Sequence, residues 1–178
     1  MKKVAILHTA HWQQAMGGAE LQIKFLIENL ISKNFKVFFI YEDKKTPFVS
    51  EFSKLNLIPI NNTIKSKRIG DPSVLQKRVI LKHLNCIKPN AIYTRTYSSW
   101  SGYATKYAIQ NKITHIWAVA SNNDISNSIN FFSLFKPLDI AAKYLMRFTI
   151  KNCSYIIVQN SIQKNDLNHI YNRKGIFI

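Results

Sequence analysis

Apolar and polar residues follow two alternating rhythms along the whole chain. Val4-Ala5-Ile6-Leu7 is a short apolar run, and the spacing predicts a first strand over about Val4 to His8. From Ala19 the apolar residues fall at helical spacing (Ala19, Ile23, Leu26, Ile27, Leu30), which predicts a helix from about Gly18 to Ser32, ended by Asn34. Lys36 to Tyr41 reads as a second strand, Phe48 to Leu55 as a short helix after Pro47, and Leu57 to Ile60 as a weak strand whose Pro59 marks an edge or an end. Asn61 to Gly70 is a polar, basic loop. Asp71-Pro72-Ser73 then opens a helix that runs to Pro89, with a capping acid followed by proline in the first turn. Further strands are expected at Ala91 to Tyr93, Ile113 to Ala120 and Tyr155 to Val158. Helices are expected at Ser98 to Gln110, Pro137 to about Asn152, and Ser161, as cap, to about Tyr171. Ser121 to Asn130, rich in Ser and Asn, reads as a loop.

Six or seven strands separated by helices predict an α/β fold with a mainly parallel sheet. Such sheets bind ligands beyond the carboxyl ends of their strands, so the loops after Leu7, Tyr93, Ala120 and Val158 are the ones to inspect. The first holds Gly17-Gly18 immediately before a helix. Glycine lets backbone N–H groups approach a ligand, and a helix N-terminus adds unpaired donors and partial positive charge, so the pair suits an anion such as phosphate. An ordinary tight strand-to-helix turn accounts for the same residues.

Composition narrows the classes. In 178 residues, 47% are hydrophobic and 19% charged, enough for a sizeable core and against disorder. Cys86 and Cys153 offer neither a disulfide framework nor metal-ligand spacing, and the apolar run after Lys2-Lys3 is too short for a signal-peptide core. The simplest address is cytoplasmic. The balance of 25 Lys and Arg against 9 Asp and Glu, a net +16, points to polyanionic company: nucleic acid, anionic headgroups or phosphorylated substrates. Specific motifs for other chemistries are missing: no G-x-G-x-x-G, no P-loop and no G-x-S-x-G elbow. His8 and His11 have no Cys or carboxylate nearby to complete a metal set and read as pocket-wall residues.

Four landmarks occur in order: the first strand followed by His8-Thr9-Ala10-His11-Trp12-Gln13-Gln14-Ala15-Met16-Gly17-Gly18-Ala19-Glu20; Lys88 to Arg95; Ala120-Ser121-Asn122-Asn123-Asp124; and Cys153 to Ser161. Together they resemble the N-terminal domain of the family 4 retaining glycosyltransferases, enzymes of the GT-B fold. The resemblance covers essentially the whole chain. It implies a Rossmann-like parallel sheet with helices on both faces, residues 1–178 forming the acceptor-side half. The apolar run Gly175 to Ile178 then falls at the crossover to a sugar-nucleotide domain absent from this sequence. It further implies that Gly17 and Gly18 approach the donor diphosphate through backbone N–H groups and that no metal or cofactor is required. The donor would be a UDP- or GDP-linked sugar, and the acceptor a glycan or lipid-linked molecule of bacterial surface polysaccharide assembly. Glu20 matches the acid that follows the glycines, although a favourable charge in a first helical turn explains it as well.

The chain departs from the family where a histidine often ends the fifth strand: Trp117 to Asp124 contains none, and His115 lies too early to replace it. The role passes by position to Asn122, Asn123 or Asp124. Glu20 and Asp124 are thus the candidate catalytic carboxylates, with Asp124 equally readable as a loop brace. Arg95, after the fourth strand, is a candidate for an acceptor phosphate, or a plain surface arginine. Asn122 and Asn123 complete the acceptor set. Pro137 to Lys151 places Leu138, Ala141, Ala142, Leu145 and Phe148 on one face and Lys143, Arg147 and Lys151 on another. With Phe131, Phe132, Leu134 and Phe135 before it, this is either a crossover helix or a contact with an anionic membrane at the inner face of the plasma membrane. A basic module that binds nucleic acid, or a non-catalytic membrane-peripheral partner, is the alternative class. No nucleic-acid motif supports the former.

Overall fold

A computed structural model describes residues 1–15, 17–43, 52–61, 70–126 and 136–177. The described strands are β1 (Lys3–His8), β2 (Lys36–Asp43), β3 (Leu55–Asn61), β4 (Ala91–Arg95), β5 (Thr114–Ala118), β6 (Tyr155–Val158) and β7 (Ile176–Phe177). The helices are α1 (Gly18–Ser32), α2 (Lys77–Ile87), α3 (Ser99–Gln110), α4 (Asn123–Ser126), α5 (Pro137–Asn152) and α6 (Ser161–Tyr171). One seven-stranded sheet runs β3-β2-β1-β4-β5-β6-β7, every adjacent pair parallel. This is the Rossmann-like arrangement. Strand order reverses between β1 and β4, which opens a crevice at their carboxyl ends.

Period-two alternation assigns each strand residue to a face. Val4, Ile6, Val37, Phe39 and Tyr41 pack against Ile23 and Ile27 of α1, with Tyr93 alongside. Ala5, Leu7, Ile40 and Ile92 face the opposite way, onto Ile80 and Leu84 of α2, Trp100 and Tyr107 of α3, and Leu145 of α5. Trp117, Ile156 and Val158 extend that second layer to Met146 of α5 and Leu167 of α6. Helices therefore cover both faces, α1 on one and the others opposite. Helix α3 comes close to α5 because residue 102 is glycine: a Cβ there would lie 2.6 Å from Leu145 Cβ.

Five local expectations change. Phe52 to Lys54 form a turn and Leu55 opens β3, so the described end of the expected helix 48–55 is not helical; its residues 48–51, like Phe131 to Phe135, lie outside the described residues. Residues Pro72–Gln76 form a 3-10 turn before α2, with Asp71 accepting from Ser73 N–H at 2.9 Å as the expected cap. The expected loop 121–130 includes α4. The cap of α6 is Asn160, which accepts from Gln163 N–H, not Ser161. The buried face of α5 is Ala142, Leu145, Met146, Thr149 and Ile150; Leu138, Ala141 and Phe148 are only half-buried. Two residues of that face, Met146 and Ile150, meet the β5–β6 cluster, which rotates the buried stripe relative to the expected one.

Candidate functional site

The loop after β1 is fixed by its aromatic residues. Trp12 packs between His11 (ring centroids 3.9 Å apart) and Phe39 (5.3 Å), and Tyr41 stacks on Phe39. This anchors the turn that delivers Gly17 to the start of α1. Gly17 is the N-cap, extended at φ −137° and ψ 172°, and caps with no side chain. Gly18 begins the helix, and both glycines are exposed. A Cβ added at Gly18 would meet nothing within 4 Å, and its φ is not in the left-handed range. At Gly17 a Cβ would lie 2.5 Å from Glu20 Oε2, since the Glu20 side chain folds back over the cap.

The other Glu20 oxygen stands 3.7 Å from Nε2 of buried His8, at the end of β1. His8 Nδ1 lies 3.0 Å from the Ala10 carbonyl and 3.1 Å from the Ala10 N–H, which holds the ring with Nε2 facing Glu20. The structure thus pairs Glu20 with a histidine read from the sequence only as a pocket wall.

Arg95 ends β4. Alternation places it on the α1 face with Tyr93, and it is 5% exposed, not a surface arginine. Its Nη1 donates to Tyr93 Oη at 3.4 Å, and burial raises the Tyr93 pKa, with Arg95 acting in opposition. Gln159, just past β6, lies beside Gln22 of α1, the two amides 3.3 Å apart. Its oxygen accepts from Arg95 Nη2 while its nitrogen donates to the Ala120 carbonyl. Arg95 Nε has no partner, and among the described residues no carboxylate pairs with this cation.

Beyond β5, the Asp124 carboxylate accepts from Ala120 N–H (2.9 Å), Ser121 N–H (3.2 Å) and the Ser121 hydroxyl (3.1 Å). Of its two sequence readings, this geometry matches the loop brace. The brace presents Asn122 and Asn123 to solvent, and Asn160 Nδ2 donates to Asn122 Oδ1 at 3.3 Å, tying the β5 and β6 ends together. A cavity of about 320 Å³ at the ends of β1 and β2 is lined by Thr9, Glu42, Asp71, Ser73, Tyr97 and Ser98. Burial, then Asp71 and Asp139, raise the Tyr97 pKa, so its phenol stays a donor. A second cavity, of about 360 Å³, lies at the opposite edge of the sheet beside Asn34, Lys36 and Leu55. Among the described residues no group of three His, Cys, Asp or Glu side chains is placed to hold a metal. Lys143, Arg147 and Lys151 lie on α5, Arg147 and Lys151 exposed and Lys143 half-buried, and the charge of Arg147 opposes the rise in the Tyr97 pKa. No described helix is long and apolar enough to cross a membrane.

No protein-family model matches the chain, and no curated protein sequence matches it. Solved structures do. The UDP-GlcNAc 2-epimerase of Methanocaldococcus jannaschii is 16% identical, with a TM-score of 0.60 over 100% of this chain and 45% of that one. Arabidopsis thaliana UGT89C1, solved with UDP, is 11% identical, with a TM-score of 0.58 over 96% and 46%. The lipopolysaccharide outer core galactosyltransferase WaaB is 12% identical, with a TM-score of 0.56 over 95% and 42%. At these identities the likeness is one of fold, the GT-B fold, and the chain spans less than half the length of each of these enzymes.

Proposed function

We propose that this chain is the acceptor-side half of a sugar-nucleotide-dependent glycosyltransferase of the retaining family 4. The observation that carries the reading is Gly18: an exposed glycine at a helix N-terminus whose conformation and surroundings would accept a side chain. Folding alone does not account for a glycine there, whereas close approach of a ligand does. The N–H groups of Gly18 and Ala19 start α1 with no side-chain cap from Gly17. They suit the donor diphosphate, presented from across a cleft by a second domain, and they favour the negative charge that builds on the leaving phosphate. Metal-independent transfer with retention follows from the family resemblance.

Glu20, folded over Gly17 and 3.7 Å from His8 Nε2, places its carboxyl beside that site. Asp124 shapes the edge that presents Asn122 and Asn123. The cavity of Thr9, Glu42, Ser98 and Tyr97 offers hydroxyl and carboxylate partners to a polyhydroxylated acceptor. Bacterial surface polysaccharide assembly, at the cytoplasmic face of the plasma membrane, is the setting we infer. The exposed Ile140 and Tyr144 among the basic residues of α5 support a peripheral membrane contact.

The test is turnover of UDP- and GDP-sugars by the full-length gene product, with the product anomer read by NMR. Transfer with retention is expected, and no turnover from residues 1–178 alone. Gly18→Val should lower transfer about a hundredfold, the scale of a lost charge-stabilising contact, without lowering Tm. Unchanged transfer in Gly18→Val would overturn the role of the loop. Interconversion of a UDP-sugar without an acceptor would instead make the protein an epimerase.

A further inference from the structure

We propose that Arg95 is the floor of a phosphoryl-binding site at the switch point of the sheet, and that the substrate of this edge brings its own negative charge to it. This rests on the glycosyltransferase reading only for the word substrate; the site is argued from the chain itself. Arg95 is only 5% exposed, yet has no carboxylate partner among the described residues. A buried cation is costly unless it is paired, and among the described residues Arg95 has only the Tyr93 phenol and a neutral amide, its Nε unpartnered. The fork of a guanidinium matches two oxygens of a phosphate, and an oxyanion would use donors that the neutral groups leave idle.

The neighbours favour an anion that comes and goes. Gln159 is exposed and neutral, and its amide oxygen takes Arg95 Nη2 without supplying a charge. It acts as a neutral placeholder, displaced when a phosphoryl oxygen arrives. Asn122 and Asn160, bonded to each other, add neutral donors and acceptors at the rim. Gln22 belongs to the second turn of α1, which brings the positive end of that helix alongside. The phosphoryl group could belong to the donor diphosphate or to a phosphorylated acceptor; both present the same chemistry to Arg95.

The test is binding to the chain of inorganic phosphate, UDP and a sugar 1-phosphate, by calorimetry and by ligand-dependent Tm shift. The parent should bind phosphate, and Arg95→Met should bind it at least about tenfold more weakly. Arg95→Lys should recover part of the loss. Because Arg95→Met removes an unpaired buried charge, its Tm without ligand should equal or exceed that of the parent. Where phosphate binding weakens, an accompanying loss for UDP but not for the sugar phosphate assigns the group to the donor, and the reverse assigns it to the acceptor; either supports the site. Phosphate binding unaffected by Arg95→Met, or no phosphate binding by the parent, overturns it. Gly18→Val serves as the control: it disables the proposed diphosphate loop while leaving Arg95 intact. Failure of the transfer assay with retained Arg95-dependent phosphate binding would refute the glycosyltransferase reading and not this one.

Discussion

His115 shows how one side chain can make stability depend on pH. It is fully buried between the sheet and two helices. Thr105 donates to the Ser101 carbonyl, so its oxygen is left to accept from His115 Nδ1–H (2.9 Å). Nε2 then accepts from the Thr94 hydroxyl (2.9 Å). Burial lowers the ring pKa from 6.5 to about 3. Below the unfolded value the unfolded chain takes up a proton that the native ring refuses. Stability is therefore full above about pH 6.5 and is lost as pH falls toward 3, with a slope of at most about 1.4 kcal/mol per pH unit. Urea unfolding of parent and His115→Gln between pH 7.5 and 4.5 checks this: the variant should be less stable at neutral pH but show a flatter dependence. Parallel slopes would remove His115 as the cause. Residues of this kind are poorly legible in sequence. The placement of Gly17-Gly18 could be read because it is local, a strand, two glycines and a helix. The burial of Arg95 and the contact of His8 with Glu20 depend on groups brought together by the fold, which sequence spacing does not report.

At the scale of elements, the strand–helix alternation was legible because a parallel sheet covered on both faces makes its strands near-continuous apolar runs. What escaped was set by neighbours or by length. The four residues of α4 sit among Ser and Asn, which favour turns, and they are held by Asp124 rather than by propensity. The buried stripe of α5 could not be placed by periodicity alone, since half-buried flanks make two adjacent stripes nearly equal in apolar content. The contact that fixes it is at Gly102. An alanine there would press on Leu145 Cβ at 2.6 Å and on the Leu145 carbonyl at 3.0 Å. Neither atom can rotate aside, so α3 and α5 must separate. Alanine's helix propensity favours the variant by about 1 kcal/mol, while overpacking costs about 1–3 kcal/mol. Gly102→Ala should therefore be neutral to destabilising by about 2 kcal/mol in chemical denaturation, where Gly18→Ala, with empty space around it, should not destabilise. A clearly stabilised Gly102→Ala would mean the helices are not held at this distance.

At the scale of the whole molecule, a net charge of +16 gives a long-range attraction to anionic surfaces that salt weakens. Charge alone does not choose a face; exposed apolar groups set among the cations do. On α5, Tyr144 is 63% exposed and Ile140 46%, with Arg147 and Lys151 exposed nearby on the helix. Lys106 of α3 lies over the rings of Tyr144 (5.9 Å) and Phe148 (5.4 Å), so charge and aromatic surface occupy one patch. An interfacial aromatic flanked by cations suits the headgroup layer of an anionic bilayer. The chain should co-sediment with vesicles of anionic phospholipid at low salt and progressively less as salt rises. Arg147→Glu with Lys151→Glu should cut binding more than two equal charge reversals at Lys77 and Lys82 of α2, because only the first pair adjoins the exposed Tyr144 and Ile140. Equal losses would reduce the effect to net charge, and no binding at low salt would remove the membrane contact altogether.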